Sequence, residues 1–278
     1  MTLLKQLQRA SVPVMVGDTP VETRVESQNA YKTLLHGSVD GAGLKHHSLA
    51  GSRSAWVTDP TIRLAGAEYV AAVRVRGNLL PSRARARRGR GMDSEKRCRS
   101  CPDKVSNLAH VLQVCGASGK LRIARHNDLV VAVIKALEAK GFTCQREPRI
   151  TVGLSFRKPD IIAYNTDRAY VLDPMVISDN FSFEAAHVTK VTTYSITEVV
   201  EYARGLVVAN PLRSPGRGFV EVCVDGLIVD WRGAWSPRST KLLTRELGIG
   251  SALIDIWSVR LLCTANRMFQ LLLKRTDL

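Results

Sequence analysis

The apolar positions of this chain fall into two periods. In residues 120–141, KLRIARHNDLVVAVIKALEAKG, the residues Leu129, Val130, Val133, Ile134 and Leu137 share one helix face, and Gly141 supplies a stop. Leu64, Tyr69, Val70, Ala72, Val73 and Val75 give a shorter buried stripe, which predicts a helix around 64–76. FTCQREPRI, RKPDIIAYN and AYVLDPMVI, between residues 142 and 177, are short apolar runs bounded by turn formers and read as strands. FEAAHVTKVTTYSITEVVEYARG reads as helical through its middle despite its β-branched residues. GFVEVCVDGLIVDW follows as a strand and turn, and residues 238–275 are mostly helical. Helix, three strands, helix and strand make an α/β core, one mixed sheet flanked by helices.

Two of these strands carry a carboxylate in an awkward place. Asp160 follows Pro159 at the head of Ile161-Ile162-Ala163, and Asp173 closes Tyr170-Val171-Leu172. An unpaired carboxylate in a buried strand is costly to desolvate. Two acids on neighbouring strands, separated by one hairpin, can converge on a point and hold Mg²⁺ (or Mn²⁺) through hard oxygen ligands. A bound divalent ion activates water and stabilises a phosphodiester under attack. The competing reading makes both of them turn-capping aspartates. A nuclease built on two acids also wants a cation for developing negative charge. The position two residues after Asp173 is Met175, so the nearest candidate is Lys190, in the next expected helix; alone it would be a surface lysine.

Charge adds a second theme. The formal net charge is +15 over 278 residues, and residues 74–104 carry +8 of it. Such a balance suggests a polyanion partner, most simply nucleic acid. PSRARARRGRG has no means of burying itself and reads as a solvated arm whose Arg83, Arg85, Arg87, Arg88 and Arg90 face phosphates; Arg157 and Lys158 are expected to join them. No apolar run approaches the roughly 20 residues of a membrane span, and the opening MTLLKQLQRASVPVMVG makes a poor signal peptide. Three of six cysteines crowd into one place, as Cys98-x2-Cys101-x8-His110-x4-Cys115. Four tetrahedral-type ligands within 18 residues fit one structural Zn²⁺; the alternative is three free cysteines and a surface histidine. Cys144, Cys223 and Cys263 sit in apolar settings and read as core. His46 and His47 read as solvated. Trp231 and Trp235 read as an aromatic cluster sealing the sheet edge rather than a stacking platform for bases.

In order, these features divide the chain into a partly helical linker region (1–80), an arginine-rich arm (81–97), a zinc knuckle (98–117) and an α/β domain (118–278). The order of arm, Cys-Cys-His-Cys knuckle, RHND, RKPD, second Asp and distant Lys resembles the C-terminal region of site-specific non-LTR (LINE-type) retrotransposon proteins that carry a restriction-like endonuclease. GLKHHSLAGSRSAWVTDP, RGNLLPSRARARRGRG and GLIVDWRGAWSPRS resemble further segments of those proteins, so the likeness runs from roughly residue 44 to the end. The resemblance implies a PD-(D/E)xK restriction-endonuclease-like core. It implies metal-dependent nicking of double-stranded target DNA to free a 3′ hydroxyl that primes reverse transcription of the element's RNA, in the nucleus. It assigns the metal to Asp160 and Asp173, catalytic roles to Lys190, Tyr194, His126 and Asp128, a DNA contact to Arg125, and zinc to Cys98, Cys101, His110 and Cys115.

The chain departs from that pattern in one respect. No Tyr/Phe-x-Asp-Asp occurs, so this stretch cannot copy RNA by itself, and a reverse transcriptase would act in cis in a longer parent or in trans. The rival function is a catalytically inactive fragment that binds nucleic acid through knuckle and arm. A third is a structural or protein-interaction remnant with neither zinc nor salt-dependent binding.

Overall fold

A computed structural model describes residue 6 and residues 13–49, 55–59, 62, 64–90, 92–214, 216 and 218–274. Most of the opening stretch assessed as a leader lies outside them, as does the end of the last expected helix. Two compact units divide at Lys45/His46. The first holds a hairpin of β1 (Val14–Val16) and β2 (Thr19–Val21), then helix α1 (Arg24–Gly37). Thr23 and Glu26 close a reciprocal capping box at the start of α1.

The second unit runs through α2 (Gly66–Arg76), α3 (Leu108–Gln113), α4 (Gly119–Glu138), β3 (Thr143–Arg146), β4 (Ile150–Val152), β5 (Ser155–Arg157), β6 (Ile161–Tyr164), β7 (Arg168–Ile177), α5 (Phe183–Tyr194), α6 (Thr197–Val208), β8 (Glu221–Asp230), α7 (Pro237–Lys241) and α8 (Ser251–Lys274), with short helical turns between. Its sheet has the order β3-β6-β7-β8, antiparallel except for the parallel pair β7–β8. This is the expected mixed α/β sheet flanked by helices. One face packs Val130, Val133 and Leu137 of α4 against Ile161, Tyr170, Leu172, Leu227 and Trp257. The other packs Val199, Ala203 and Val207 of α6 against Ile162, Val171 and Ile150. Alternate residues of β6 and β7 thus face opposite layers, as strand geometry requires.

Several expectations are corrected. The run 142–150 is not one strand: Pro148 lacks an N–H to donate, and the chain resumes as a separate two-stranded hairpin, β4–β5. The helical stretch 183–205 breaks at Ser195-Ile196, where Ile196 turns extended and starts α6. GFVEVCVDGLIVDW is a strand and turn as expected: β8 runs straight through Asp225-Gly226, paired along its whole length with β7, and the turn follows at 231–233. The last helical region is interrupted at residues 247–250, with Gly248 at φ +65°.

The expected domain boundaries at 80, 97 and 117 do not separate compact units. Trp56, Ala72, Val75, Leu80, Leu108, Val111 and Leu112 share one core with Leu262, Met268 and Phe269 of α8. Nor is the arginine-rich segment wholly an extended arm. Ser82 caps a helical turn over Arg83–Ala86; Arg83 Nε donates to the Glu95 carbonyl at 2.9 Å and Arg85 Nη1 to the Asn78 carbonyl at 3.1 Å. Of Arg83, Arg85, Arg87, Arg88 and Arg90, the last three are exposed.

His46 and His47 are not solvated either. Asp230 is fully buried; its Oδ1 accepts from the Arg232 and Ala234 amides, and its Oδ2 faces His46 Nδ1 at 2.9 Å. Burial pushes the His47 pKa down to about 2. Trp231 and Trp235 are both buried, and Trp235 packs against Trp257. Cys144 and Cys223 are half-buried and Cys263 is buried. Among the described residues, no helix is long and apolar enough to cross a membrane.

Phe269 is completely buried between α8 and the elements that carry Leu80 and Leu112. Phe269→Ala is expected to cost about 3–5 kcal/mol in chemical denaturation, the usual range for an emptied aromatic site. A loss below about 1 kcal/mol would show that the N-terminal part of this unit does not share the core.

Two candidate metal centres

The cysteine-rich segment is held by its own backbone. An isolated bridge pairs Arg97 with Val105, Cys98 N donates to the Lys104 carbonyl and Lys104 N to the Cys101 carbonyl, so both cysteines sit on one tight loop. Asn107 caps α3 by accepting from His110 N at 2.7 Å, placing His110 on its first turn, and Cys115 N donates back to the His110 carbonyl. The four ligand atoms lie within 4.8 Å of one another. Cys98 and Cys115 sulfurs are 3.7 Å apart. That is far beyond the ~2.05 Å of a disulfide and close to the ~3.8 Å expected for two sulfurs about 2.3 Å from one tetrahedral zinc. His110 Nε2 is buried without a hydrogen-bond partner. Burial, then Lys104 and Arg122, lowers the His110 pKa and keeps the imidazole neutral, the form a metal needs. Burial pushes the Cys115 thiol up to about 11. The donor set, its spacing and the orphaned nitrogen all fit zinc.

The second centre is built on the sheet. Asp160 stands at the head of β6 and Asp173 in β7, one pair beyond the last paired residues Ile161 and Leu172. Across β3, the Glu147 amide donates to the Asp160 carbonyl at 2.9 Å, with Glu147 at φ +49°. Helix α4 brings His126 down so that Nε2 lies 2.9 Å from Asp160 Oδ2 and 3.1 Å from the Pro174 carbonyl. Both neighbours are acceptors, so Nε2 carries the proton and donates to them. Atoms of His126, Asp160 and Asp173 lie within 4.8 Å of one another.

Lys190 reaches this centre from α5, with Nζ 2.6 Å from Asp173 Oδ1. Its path depends on Gly226, which stands beside Asp173 in the β7–β8 register. A Cβ on Gly226 would lie 3.1 Å from Lys190 Cγ and 2.7 Å from Ile228 Cδ1. One turn earlier on α5, buried His187 contacts Asp225 Oδ1 at 2.8 Å and Ser236 Oγ at 2.6 Å and ties the helix to β8. Tyr194 closes the same side and donates to the Lys158 carbonyl at 3.3 Å.

The electrostatics match a cation site. Burial, and then Asp160, raises the Asp173 pKa, while Lys190 and Tyr194 oppose the rise. Asp160 raises the His126 pKa against burial. Burial and Asp173 raise the Tyr194 pKa, so its hydroxyl stays neutral. Two carboxylates share a partly buried spot in which Lys190 is the fixed cation and His126 adds a second charge when protonated; with His126 neutral, a divalent ion with oxygen ligands would offset the remaining negative charge.

Not every expected residue arrives. Asp128 points away from the pair, into a groove between α4 and α8 that Arg125 also lines. Arg125 is only 4 % exposed and donates to Gln113 Oε1, so it is a buried residue rather than an open DNA contact. Helix geometry explains both: residues 125 and 128 lie on one face, and His126 lies about 100° round from Arg125. Lys158 pairs with Glu147, and Arg157 Nη1 donates to the Phe156 carbonyl at 3.4 Å. Pattern reading missed Glu147, the Pro174 carbonyl, Gly226 and the His187–Asp225 brace. None carries a local signal, because each acts through a contact distant in sequence.

The fold and these two centres define an α/β protein with a cysteine-rich zinc-type site and a two-carboxylate, histidine-assisted site on one sheet. Its homologues are Pol polyproteins of R2 retrotransposable elements. The chain is 30% identical over 236 residues (85% of its own length, 21% of the relative) to the Retrovirus-related Pol polyprotein from type-2 retrotransposable element R2DM of Drosophila melanogaster. It is 25% identical over 256 residues (92% and 24%) to the Pol polyprotein from type-1 retrotransposable element R2 of Nasonia vitripennis, and 30% identical over 214 residues (75% and 41%) to one from Popillia japonica. The chain therefore spans less than half the length of these curated relatives. No protein-family model matches it.

Two outcomes follow. The purified chain is expected to hold one equivalent of zinc by metal analysis. Stripping it should lower the thermal midpoint by more than roughly 5 °C, given ~2–4 °C per kcal/mol at this size; full stability without zinc, or zinc retained by Cys98→Ser, would contradict the assignment. The second concerns pH in metal-free buffer. Because the folded His126 pKa is raised above 6.5, the ion pair with Asp160 contributes stability that is fully present below about pH 6.5 and is lost as pH rises through the folded value. Denaturation midpoints between roughly pH 6 and 8 should therefore fall less steeply for His126→Gln than for wild type. Equal slopes would remove His126 from the centre.

Proposed function

We propose that this chain is the metal-dependent DNA endonuclease module of an R2-type element, nicking double-stranded target DNA to leave a 3′ hydroxyl that primes reverse transcription. The observation that carries this reading is the convergence of Asp160, Asp173, His126 and Lys190 on one point at the sheet edge. Asp160, Asp173 and His126 would hold Mg²⁺ or Mn²⁺, which when bound supplies water activation and neutralisation of phosphodiester charge. Asp160 and Asp173 fix the geometry from two adjacent strands. His126 would ligate through Nε2, its Nε2 proton passing to solvent while Nδ1 stays protonated beside Asn127 Oδ1. Lys190 would place a cation beside the phosphate oxygens on which negative charge grows. Tyr194, held neutral, orients Asp173 and the backbone of Lys158.

The exposed Arg87, Arg88 and Arg90 would hold DNA or element RNA phosphates beside a zinc knuckle spanning residues 98–117. The priming step would be completed by a reverse transcriptase, in cis in a longer polyprotein or in trans, in the nucleus. The family resemblance and the homology to R2 Pol polyproteins support this setting.

Supercoiled plasmid with Mg²⁺ and zinc-loaded protein tests the reading. Wild type is expected to convert it to open circle. Asp160→Ala and Asp173→Ala should abolish nicking while leaving DNA retention intact, and Lys190→Met should slow nicking by about 10²–10³-fold, the scale of one lost electrostatic stabiliser. Nicking by Asp160→Ala at the wild-type rate would sink the proposal. DNA binding without nicking by any form would leave a nucleic-acid-binding fragment.

A further inference from the structure

In sequence the β4–β5 hairpin falls between β3 and β6, two strands that pair directly in the sheet, and Asp160 stands just before β6. The hairpin's strands pair Ile150 with Arg157 and Val152 with Ser155, leaving Gly153 and Leu154 as the whole loop. Gly153 takes φ +54°, and nothing lies within 4 Å of where its side chain would be. The base of the hairpin is fixed, because Ile150 is buried in the core with Val199 and Ala203 of α6. The tip is bare: Leu154 is 110 % exposed. Below it the guanidinium of Arg149 covers the ring of Phe156 at 4.0 Å; Arg146 and Lys158, both exposed and both paired with Glu147, and the half-buried Arg157 flank the hairpin in sequence, four basic residues against one acid.

A tightly turned hairpin, anchored at its base and ending three residues before Asp160, projects one leucine whose tip is covered by nothing among the described residues. Duplex DNA supplies both halves of the complement. Its phosphates match these basic residues, and a base step parts to admit an apolar wedge, unstacking the bases and kinking the helix. We infer that Leu154 is a wedge that enters a base step of the target duplex next to the scissile phosphate, with the Arg149–Phe156 pair and its neighbouring cations seating the flanking backbone. The inference rests on the DNA-nicking reading and adds to it a physical source of site choice, since pyrimidine–purine steps open most easily.

The test separates the two. Zinc-loaded Asp160→Asn protein is bound to plasmid, and permanganate, which oxidises unstacked thymines, is read out by primer extension around the whole circle. Discrete reactive thymines are expected. They should fall at least tenfold with Asp160→Asn/Leu154→Ser and return with Asp160→Asn/Leu154→Met, whose flexible apolar side chain can still insert. Because Leu154 touches nothing, the serine variant folds, and its unchanged thermal midpoint verifies this. Reactivity unaltered by Leu154→Ser, or no reactive thymine under protein that is demonstrably bound, overturns the wedge but leaves the nuclease standing. Wild-type protein that neither binds nor nicks the plasmid overturns both.

Discussion

Two carboxylates held side by side on adjacent strands set the terms for the rest of this unit. Asp160 and Asp173 repel each other, and burial raises the cost of keeping Asp173 charged. The surrounding structure supplies positive charge from two helices that approach from different sides. α4 delivers the His126 proton and α5 delivers Lys190. Each helix is fixed separately: α4 through Val130, Val133 and Leu137, and α5 through Ala186 packed with Ile177 and Ile228 and the buried His187–Asp225 contact. Burying the acids and supporting them are therefore one architectural fact, and it is on this arrangement that the proposed divalent ion would sit.

The parallel pair β7–β8 extends this logic. Its register sets Gly226 beside Asp173, and the missing side chain opens the slot that the Lys190 stem crosses. Beyond β8, Asp230 organises the tight turn that follows it and ties in His46. The segment DWRGAW is thereby a buried capping device, with its tryptophans serving the core.

Much of the centre was legible in the sequence because its acids broke a pattern: Asp160 and Asp173 are charges in apolar runs, and the cysteines have a spacing tied to tetrahedral geometry. Lys190 was legible only by elimination, once Met175 left the local position empty, and His126 only through the family resemblance. What stayed hidden depends on pairing between distant segments. Nothing local says that His46 will meet Asp230, that Asp225-Gly226 will run straight through a strand, or that Arg125 will face into the protein while His126 faces the acids. The arginine-rich segment misled for a related reason. Composition reports charge, but Arg83 and Arg85 spend theirs on the Glu95 and Asn78 carbonyls.

The central claim is that Asp160, Asp173 and His126 form one metal site. Calorimetric titration of Mn²⁺ into the zinc-loaded chain, repeated in buffers of different ionisation enthalpy, tests it most directly. The account predicts one binding event beyond the zinc, with proton release that disappears in His126→Gln, and no binding in Asp173→Asn. Mn²⁺ binding of unchanged strength in Asp173→Asn would contradict it.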